Sequence, residues 1–424
     1  MKTLQPPSEV SADTVASARP RPFVLPRVGV EAESRAARRA WLTLWVAFGT
    51  LCVLLGVAVQ VAYQYVTHSD VDRTARADNI RGEVYAQIAD GPQVRLSTAD
   101  RSLPVGAVVE STRGASGRIQ LFESSSATVL SEGRLQLVRM DVGRFINRST
   151  VILRQDQGSV RYEPASDIVV ELAGGRATVR KGDSTIWIQP DGTARVLVYD
   201  GEVSLEGASA LPVTVRAGQR ADLRPDRQIS SPVARAMSLF DNGDFARQAD
   251  GWETIDVQNG PPDTDGERYF VPGPTVDGQP LSALRILRNS IALSHGETGL
   301  RRPLDVDVSG FRSLYVEALI RVDSASLSGG GQVGSEYPMM LRVQYEGVRE
   351  GTRPDWLVGF FYANPENRPV RNAVEVPQGE WVTYRVNLMD QNEERKPFRV
   401  LSFEVMGQGH SYDARVAAVR LVGD

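Results

Sequence analysis

The stretch that decides the fold of this 424-residue chain is 168–205, IVVELAGGRATVRKGDSTIWIQPDGTARVLVYDGEVSL. Apolar and polar residues alternate within each of its segments, and the segments are separated by a Gly-Gly pair at 174 and by Asp-Gly pairs at 191 and 200. Such pairs supply the positive φ angles that tight hairpin turns need. The pattern therefore predicts short antiparallel strands joined by hairpins, with no helix.

The same alternation extends on both sides, from about residue 79 to residue 224. Many short strands at this spacing are typical of a sandwich, a barrel or a solenoid. We predict strands at 84–88, 118–122, 134–138, 151–153, 168–172, 177–180, 185–188, 195–199 and 202–205.

Within this region a series of short motifs occurs in a fixed order: GEV at 82–84, LPVGAVV at 103–109, GRIQL at 117–121, ATVR at 177–180, DGTARV at 191–196, YDGEV at 199–203 and VRAGQRA at 215–221. In these motifs the region resembles a FecR-type domain, a family found outside the inner membrane in bacterial regulators of the ferric-citrate sensor kind. The resemblance implies a β-solenoid-like or twisted all-β unit over residues 79–224. The chain departs from the family at Lys181-Gly182-Asp183 and has no cytoplasmic helical domain to grip a sigma factor, so we do not expect that partner.

Residues 41–67, WLTLWVAFGTLCVLLGVAVQVAYQYVT, contain no charged side chain. A helix of this length crosses a hydrocarbon core of about 30 Å, and the aromatic residues at both ends favour the interfaces. Residues 1–40 carry seven basic and four acidic side chains, a net charge of +3, which leaves −7 after the apolar run because the whole chain carries −4. The positive-inside rule then predicts a single-pass anchor in the inner (cytoplasmic) membrane, contacting the lipid bilayer, with a cytoplasmic N-terminus and an extracytoplasmic C-terminal part.

Two other interpretations of the apolar run are less consistent with it. A cleaved signal peptide would be shorter and would end in an Ala-x-Ala site. A lipoprotein signal would place a small-residue box before Cys52, where the chain has Gly-Thr-Leu. Residues 1–40 are rich in proline, with no apolar periodicity until 31–39, and we predict a disordered tail there.

Composition excludes several classes of function. One cysteine rules out an internal disulfide framework and a cysteine-based zinc cluster, and three scattered histidines disfavour a catalytic metal. A net charge of −4 gives no reason to expect nucleic acid as a partner. Glu317 and Glu404 lie in strand-like runs, but a glycosidase needs two carboxyls close together, and strand acids mostly face solvent. We therefore predict no enzymatic activity.

We predict a linker at 225–235 and a second unit at 236–424. That unit resembles galactose-binding-like or carbohydrate-binding jelly-rolls through DNGDF at 241–245, DGW at 250–252, VDVSGF at 306–311, GEWVTYRV at 379–386 and the final run at 415–422. The resemblance implies a β-sandwich. The expected fold class is thus an all-β exterior, a FecR module plus a jelly-roll, on one N-terminal transmembrane helix.

The jelly-roll resemblance also implies two kinds of site. A structural calcium would use Asn242 and Asp244 with a last-strand carboxylate, but the matching position is Ala417, so a plain turn without cofactor competes and is favoured. Sugar would stack on Trp356 or Tyr362 in DWLVGFFY. Core packing is the favoured alternative there, because both faces of that strand are apolar.

These expectations describe a membrane-anchored, non-enzymatic binding or sensor protein that responds to a glycan or an envelope protein. A structural scaffold or adhesin without signalling is the first alternative. A carbohydrate-binding accessory to a glycan-active system is the second.

Overall fold

The structure is a computed structural model, and the residues after 68 form a compact unit separate from those before. Residues 1–29 of the predicted tail lie outside the residues that the structure describes. Described are residues 30–68, 70–72, 74–89, 91–98, 101–122, 124–143, 149–209, 211–259, 266–290, 294–347, 353–392 and 395–424.

The N-terminal unit is one helix, α1, which spans Val30–His68. Its stretch Arg38–Gln64 is long and apolar enough to cross a membrane, and none of its most apolar window is buried within the protein. The hydroxyls of Thr43 and Thr50 donate to carbonyls four residues earlier, each at 2.8 Å, so they need no water. The predicted apolar helix is confirmed, and it also takes in residues 30–40 of the predicted tail.

The chain from Asp70 to Ala234 folds into strands that close into a barrel of two layers. Its strands are β1 Asp70–Asp72, β2 Ala75–Arg81, β3 Val84–Gln87, β4 Val94–Arg95, β5 Arg101–Leu103, β6 Val108–Ser111, β7 Ser116–Gln120, β8 Ser126–Val129, β9 Arg134–Gly143, β10 Ser149–Glu163, β11 Ile168–Leu172, β12 Gly175–Val179, β13 Asp183–Ile188, β14 Ala194–Asp200, β15 Glu202–Glu206, β16 Val213–Arg216, β17 Gln219–Leu223 and β18 Val233–Ala234.

The long strand β10 belongs to both layers. Its first half pairs with β9 and β11, and its second half, from Gly158 onward, pairs with β8 and β13. One layer has the order β4-β3-β6-β9-β10-β11-β12-β15-β16 and the other β5-β2-β7-β8-β10-β13-β14-β17-β18. These pairs are antiparallel except β10–β11. The strands predicted between 168 and 205 are all confirmed, as β11 to β15.

A single apolar core lies between the two layers and includes Val84, Leu137, Tyr162 and Val196, all fully buried. Buried residues alternate with half-buried ones in strands such as β3 and β11, whereas β8 is buried throughout. Burial of this side-chain set is what holds the layers together, because antiparallel pairing alone leaves one face of each sheet apolar.

The second set of strands forms a β-sandwich, as predicted. The strands are β19 Met237–Ser238, β20 Glu253–Asn259, β21 Glu267–Val276, β22 Gln279–Arg288, β23 His295–Asp307, β24 Leu314–Ala325, β25 Met339–Gly347, β26 Asp355–Phe361, β27 Ala373–Glu375, β28 Val382–Asn387, β29 Pro397–Gly409 and β30 Tyr412–Gly423. The β30 sheet has the order β21-β22-β30-β24-β28, with β19 paired to β30, and the β29 sheet has the order β20-β23-β29-β25-β26-β27. The short 3-10 helix Leu388–Asp390 follows β28.

The barrel and the sandwich share a packed junction. Leu197 of β14 belongs to the apolar core of the sandwich. The ring of Tyr199 lies between the guanidinium groups of Arg235 and Arg312, 4.3 and 4.5 Å from its centroid, and its hydroxyl donates to the Gly310 carbonyl at 2.8 Å. The predicted linker 225–235 ends in β18 and in this contact, so it connects two halves that pack directly on each other.

Burial raises the pKa of Tyr199 and of Tyr412 to about 12. Unfolded tyrosine titrates near pH 10, so both rings contribute their full stability below about pH 10 and lose that contribution as the pH rises to about 12. We expect the free energy of unfolding to fall across this window. Ultraviolet titration of the phenolates should show late-titrating tyrosines in the folded chain and one transition near pH 10 after denaturation; one common transition in both states would contradict the assignment.

Candidate functional site

The aromatic run of β26 is buried on both of its faces. Val358 and Phe360 point into the core between the sheets, and Phe361 packs with Tyr337 in a smaller cluster on the outer side of the β29 sheet. Core packing is therefore the correct interpretation for these residues. Trp356, at the exposed beginning of the strand, is only half-buried.

Trp356 packs against the sandwich core, where β26 of one sheet faces β28 of the other. Its ring stacks on Tyr384 of β28, with 6.4 Å between centroids and 28° between planes. Beside it is a cavity of about 530 Å³, the Trp356 cavity, which falls in the size range of small-molecule sites. The cavity is lined by Tyr345, Pro354, Asp355, Trp356, Leu357, Asn372, Gln391 and Arg395.

The polar groups of the Trp356 cavity come from three separate segments. Asp355 begins β26, Asn372 precedes β27, and Gln391 and Arg395 follow β28. The Tyr345 hydroxyl donates to the Arg395 carbonyl at 2.8 Å and so ties the last segment to β25. The amide nitrogen of Gln391 is buried and has no hydrogen-bond partner within the described part of the chain.

Tyr362, the second predicted sugar-stacking residue, is not part of this cavity. It is half-buried against the sandwich core, and its hydroxyl lies 3.5 Å from the Ala325 carbonyl. Of the two predicted residues, Trp356 lines this cavity and Tyr362 does not.

The predicted calcium ligands lie in a tightly bonded loop before β20. Asn242, which is buried, donates from its amide nitrogen to the carbonyls of Gln248 and Asp250 at 3.0 and 2.9 Å. Its side-chain oxygen accepts from the Arg247 backbone at 3.0 Å. Asp244 accepts from the Ala246 backbone at 3.2 Å. These bonds are those of a turn held by its own side chains.

The loop does meet the last strand, because the Val419 backbone donates to the Gly243 carbonyl at 2.8 Å. Ala417, however, is fully buried and carries no oxygen ligand in its side chain. Across the described ranges, no group of three or more His, Cys, Asp or Glu side chains is placed to hold a metal ion. The calcium site stays a prediction.

A second concave region, which we call the bulge groove, crosses the outer side of the β30 sheet. Its volume is about 650 Å³, and Asn242 and Asp244 lie at its rim. Strand β30 pairs with β22 up to Ala417, and its end pairs with β19. The groove forms at this change of neighbour, where β30 has a bulge at Ala418, whose φ is 49°. Arg385 and Arg420 line it with Glu317 between them. No sequence pattern indicates this groove, since these residues lie far apart in the chain.

The two carboxylates considered as a catalytic pair point away from each other. Glu317 lies on the outer side of the β30 sheet, between the core residues Val316 and Ala318. Glu404 lies on the outer side of the β29 sheet, between Phe403 and Val405. Packed sheets are themselves about 10 Å apart, so this pair cannot flank one glycosidic bond. Glu404 is also fully buried, contrary to our expectation for a strand acid.

Comparison with known proteins finds distant structural similarity only. No family model matches the chain, and no curated protein sequence matches it. A structure described as a candidate anti-sigma factor from Parabacteroides distasonis aligns at 9% identity over 31% of this chain and 67% of its own, with a TM-score of 0.26.

Two further structures align over a somewhat larger share of this chain. A family 11 carbohydrate-binding module from Clostridium thermocellum, solved with a mixed-linked tetrasaccharide, shows 13% identity over 44% of this chain and 94% of its own, with a TM-score of 0.24. A Stig cyclase from Fischerella shows 13% identity over 45% and 98%, with a TM-score of 0.28. Similarity of this degree does not assign the chain to a family or a function.

Proposed function

We propose that this chain is a membrane-anchored binding protein, without catalytic activity, whose C-terminal sandwich binds a glycan outside the cytoplasmic membrane. The observation that carries the proposal is the Trp356 cavity. It places a half-buried indole beside a carboxylate, two amides and an arginine, which is the combination that binds a sugar: a flat apolar surface for the ring and several hydrogen-bonding groups for the hydroxyls.

The Gln391 amide adds a specific reason for a ligand. A buried donor without a partner costs about 1–3 kcal/mol, and a ligand oxygen placed against it removes that cost. Asp355 and Arg395 carry opposite charges, so the cavity favours uncharged sugar units over a charged ligand.

The remaining parts of the chain suit a protein held at a membrane. Helix α1 would anchor it, with the basic N-terminal segment in the cytoplasm. The barrel would be a module of the FecR type, which through the packed junction holds the sandwich in a fixed orientation. Such a rigid spacer serves a sensor, a scaffold or a glycan-binding accessory equally, and the choice among them depends on what the sandwich binds.

Glycan-array binding by the full chain in detergent tests the proposal. We expect binding to at least one neutral oligosaccharide, and about a tenfold or greater loss in the variants Trp356→Leu and Gln391→Leu, which keep apolar bulk but remove the indole or the donor. Tyr362→Leu, in the same aromatic run but away from the cavity, should bind normally. Lack of binding to every neutral glycan, or an equal loss in Tyr362→Leu, would show the proposal to be wrong.

A further inference from the structure

The outer side of the β30 sheet carries an unusual arrangement of arginines. Arg285 of β22 lies directly opposite Arg415 of β30, which lies directly opposite Arg321 of β24. Like charges opposite one another on neighbouring strands destabilise a sheet. Partly exposed ion pairs offset some of that cost, by about 0–1 kcal/mol for an isolated pair and by more where the contact is bidentate. The row is therefore stabilised only to the extent that each arginine has a carboxylate partner.

Two aspartates compensate this row only in part. Asp413 accepts from Arg285 at 2.9 and 2.6 Å. Asp323 accepts from Arg321 at 2.8 Å and lies 3.3 Å from the Nε of Arg415, a buried nitrogen that has no hydrogen-bond partner among the residues that the structure describes. Three arginines thus face two carboxylates, which leaves one positive charge in the row.

A second row, in the bulge groove, also contains one more arginine than carboxylates. Glu317 lies directly opposite both Arg420 and Arg385, with contacts of 3.0 and 2.9 Å. The guanidinium carbon of Arg385 also lies over the ring of Tyr315, 3.6 Å from its centroid, so the ring supports it on one side. Both arginines are more than half exposed, at 55% and 59% of their side chains. Each therefore offers oriented donors to a ligand, in the fork geometry that matches a carboxylate.

The spacing of the two rows indicates a polymer. Arg415 and Arg420 are five residues apart on β30, or about 13–17 Å, allowing for the bulge, at roughly 3.3 Å per residue. A small anion would contact one row, whereas a chain with repeated anionic groups contacts both. Acidic side chains at the margins, Asp244 and Asp277 at the groove and Glu267 on β21, repel a densely charged ligand.

We propose that this arginine face binds an acidic polysaccharide, less densely charged than nucleic acid, through its carboxylate groups. The surface is distinct from the Trp356 cavity, and the proposal does not rest on the function assigned to that cavity. A duplex nucleic acid carries one charge per ~1.7 Å and fits the acidic margins poorly. The net charge of −4 for the whole chain gives no sign of this face, because acidic residues elsewhere outnumber its surplus arginines.

Binding of the full chain in detergent to polygalacturonate tests the proposal, with fully methyl-esterified polygalacturonate as the uncharged probe of the same backbone. We expect about a tenfold or greater loss of affinity on esterification and in each double variant, Arg385→Gln with Arg420→Gln and Arg321→Gln with Arg415→Gln. The control Arg176→Gln with Arg368→Gln removes two exposed arginines elsewhere and should bind within about twofold of the original chain.

Two further measurements guard against misfolding and against generic attraction. Glu317→Gln removes the carboxylate that occupies both groove arginines and should tighten binding, an effect that a damaged fold does not produce. Tyr362→Leu, which lies neither in the Trp356 cavity nor on the arginine face, should leave binding unchanged. Undetectable polygalacturonate binding, equal binding of the methyl ester, tighter binding of duplex DNA, or equal losses in the control would each overturn the proposal.

Discussion

Gly158→Ala costs the barrel about 3–5 kcal/mol of its free energy of unfolding. Gly158 has φ +66°, and a Cβ at this position would lie 2.2 Å from the carbonyl oxygen of Glu132 and 2.6 Å from the Cα of Gly133. Both contacts are with backbone, so neither can be relieved by turning a side chain. The residue lies where β10 leaves one layer and enters the other, and its displacement disturbs both layers at once.

Gly218→Ala is the matched control for this substitution. Gly218 has a similar φ of +79° in a turn of the same barrel, but nothing lies within 4 Å of the Cβ that the substitution introduces. We expect it to lose only the conformational term of about 1–2 kcal/mol. Urea unfolding followed by the fluorescence of Trp187, the sole tryptophan between residues 46 and 251, measures both. Equal losses in the two variants would mean that the contact with Glu132 is not decisive.

Glu404→Gln destabilises the sandwich by about 2–3 kcal/mol. The Glu404 side chain is fully buried and accepts from Arg301 Nε at 2.7 Å on one side and from Arg342 on the other. Removal of one member of a buried ion pair usually costs about 3–5 kcal/mol, because the remaining charge is left uncompensated. The expected value is lower here because Arg301 keeps 40% of its side chain exposed and can be solvated.

A carboxylate of the barrel, Glu171, provides the matched control for this substitution. Glu171 also lies between two arginines, Arg154 and Arg176, but it is partly exposed and its second partner is 4.0 Å away. Glu171→Gln should change the free energy of unfolding by less than about 1 kcal/mol. Thermal unfolding followed by circular dichroism measures both variants. A Glu404→Gln chain as stable as Glu171→Gln would show that burial of the carboxylate has no energetic weight.

The sequence predicts strands well wherever turns are marked by glycine and faces alternate, as from β11 to β15. It misses most of β10, for which the alternation predicts only residues 151–153. The run Gln155 to Gly158 is polar and suggests a turn, yet Gln155 is buried: its amide donates to the carbonyls of Gly158 and Ile186, each at 2.9 Å, and its oxygen accepts from Tyr162. Hydrogen bonds to distant strands make a polar residue acceptable in the core, and periodicity contains no information about them.

The candidate site is predictable only in its aromatic member. Trp356 follows from the DWLVGFFY run, but Asn372 and Gln391 reach its cavity through loops whose paths depend on the whole sandwich. The buried state of Glu404 likewise depends on Arg301 and Arg342, which neighbouring strands bring to it from 103 and 62 residues away. Such partners are set by strand register, which a single sequence does not reveal.

The packed junction also bears on the order in which the protein is made. The barrel leaves the ribosome before the sandwich, and domains generally fold in that order. Leu197 and Tyr199 must then wait for Gly310 and for the apolar core of the sandwich, which includes residues of the strand Tyr412–Gly423 and is complete only after that strand is synthesised. Until that strand is in place, an apolar patch on a finished barrel stays open to solvent. The nascent chain is therefore most vulnerable to aggregation late, after half of it has already folded.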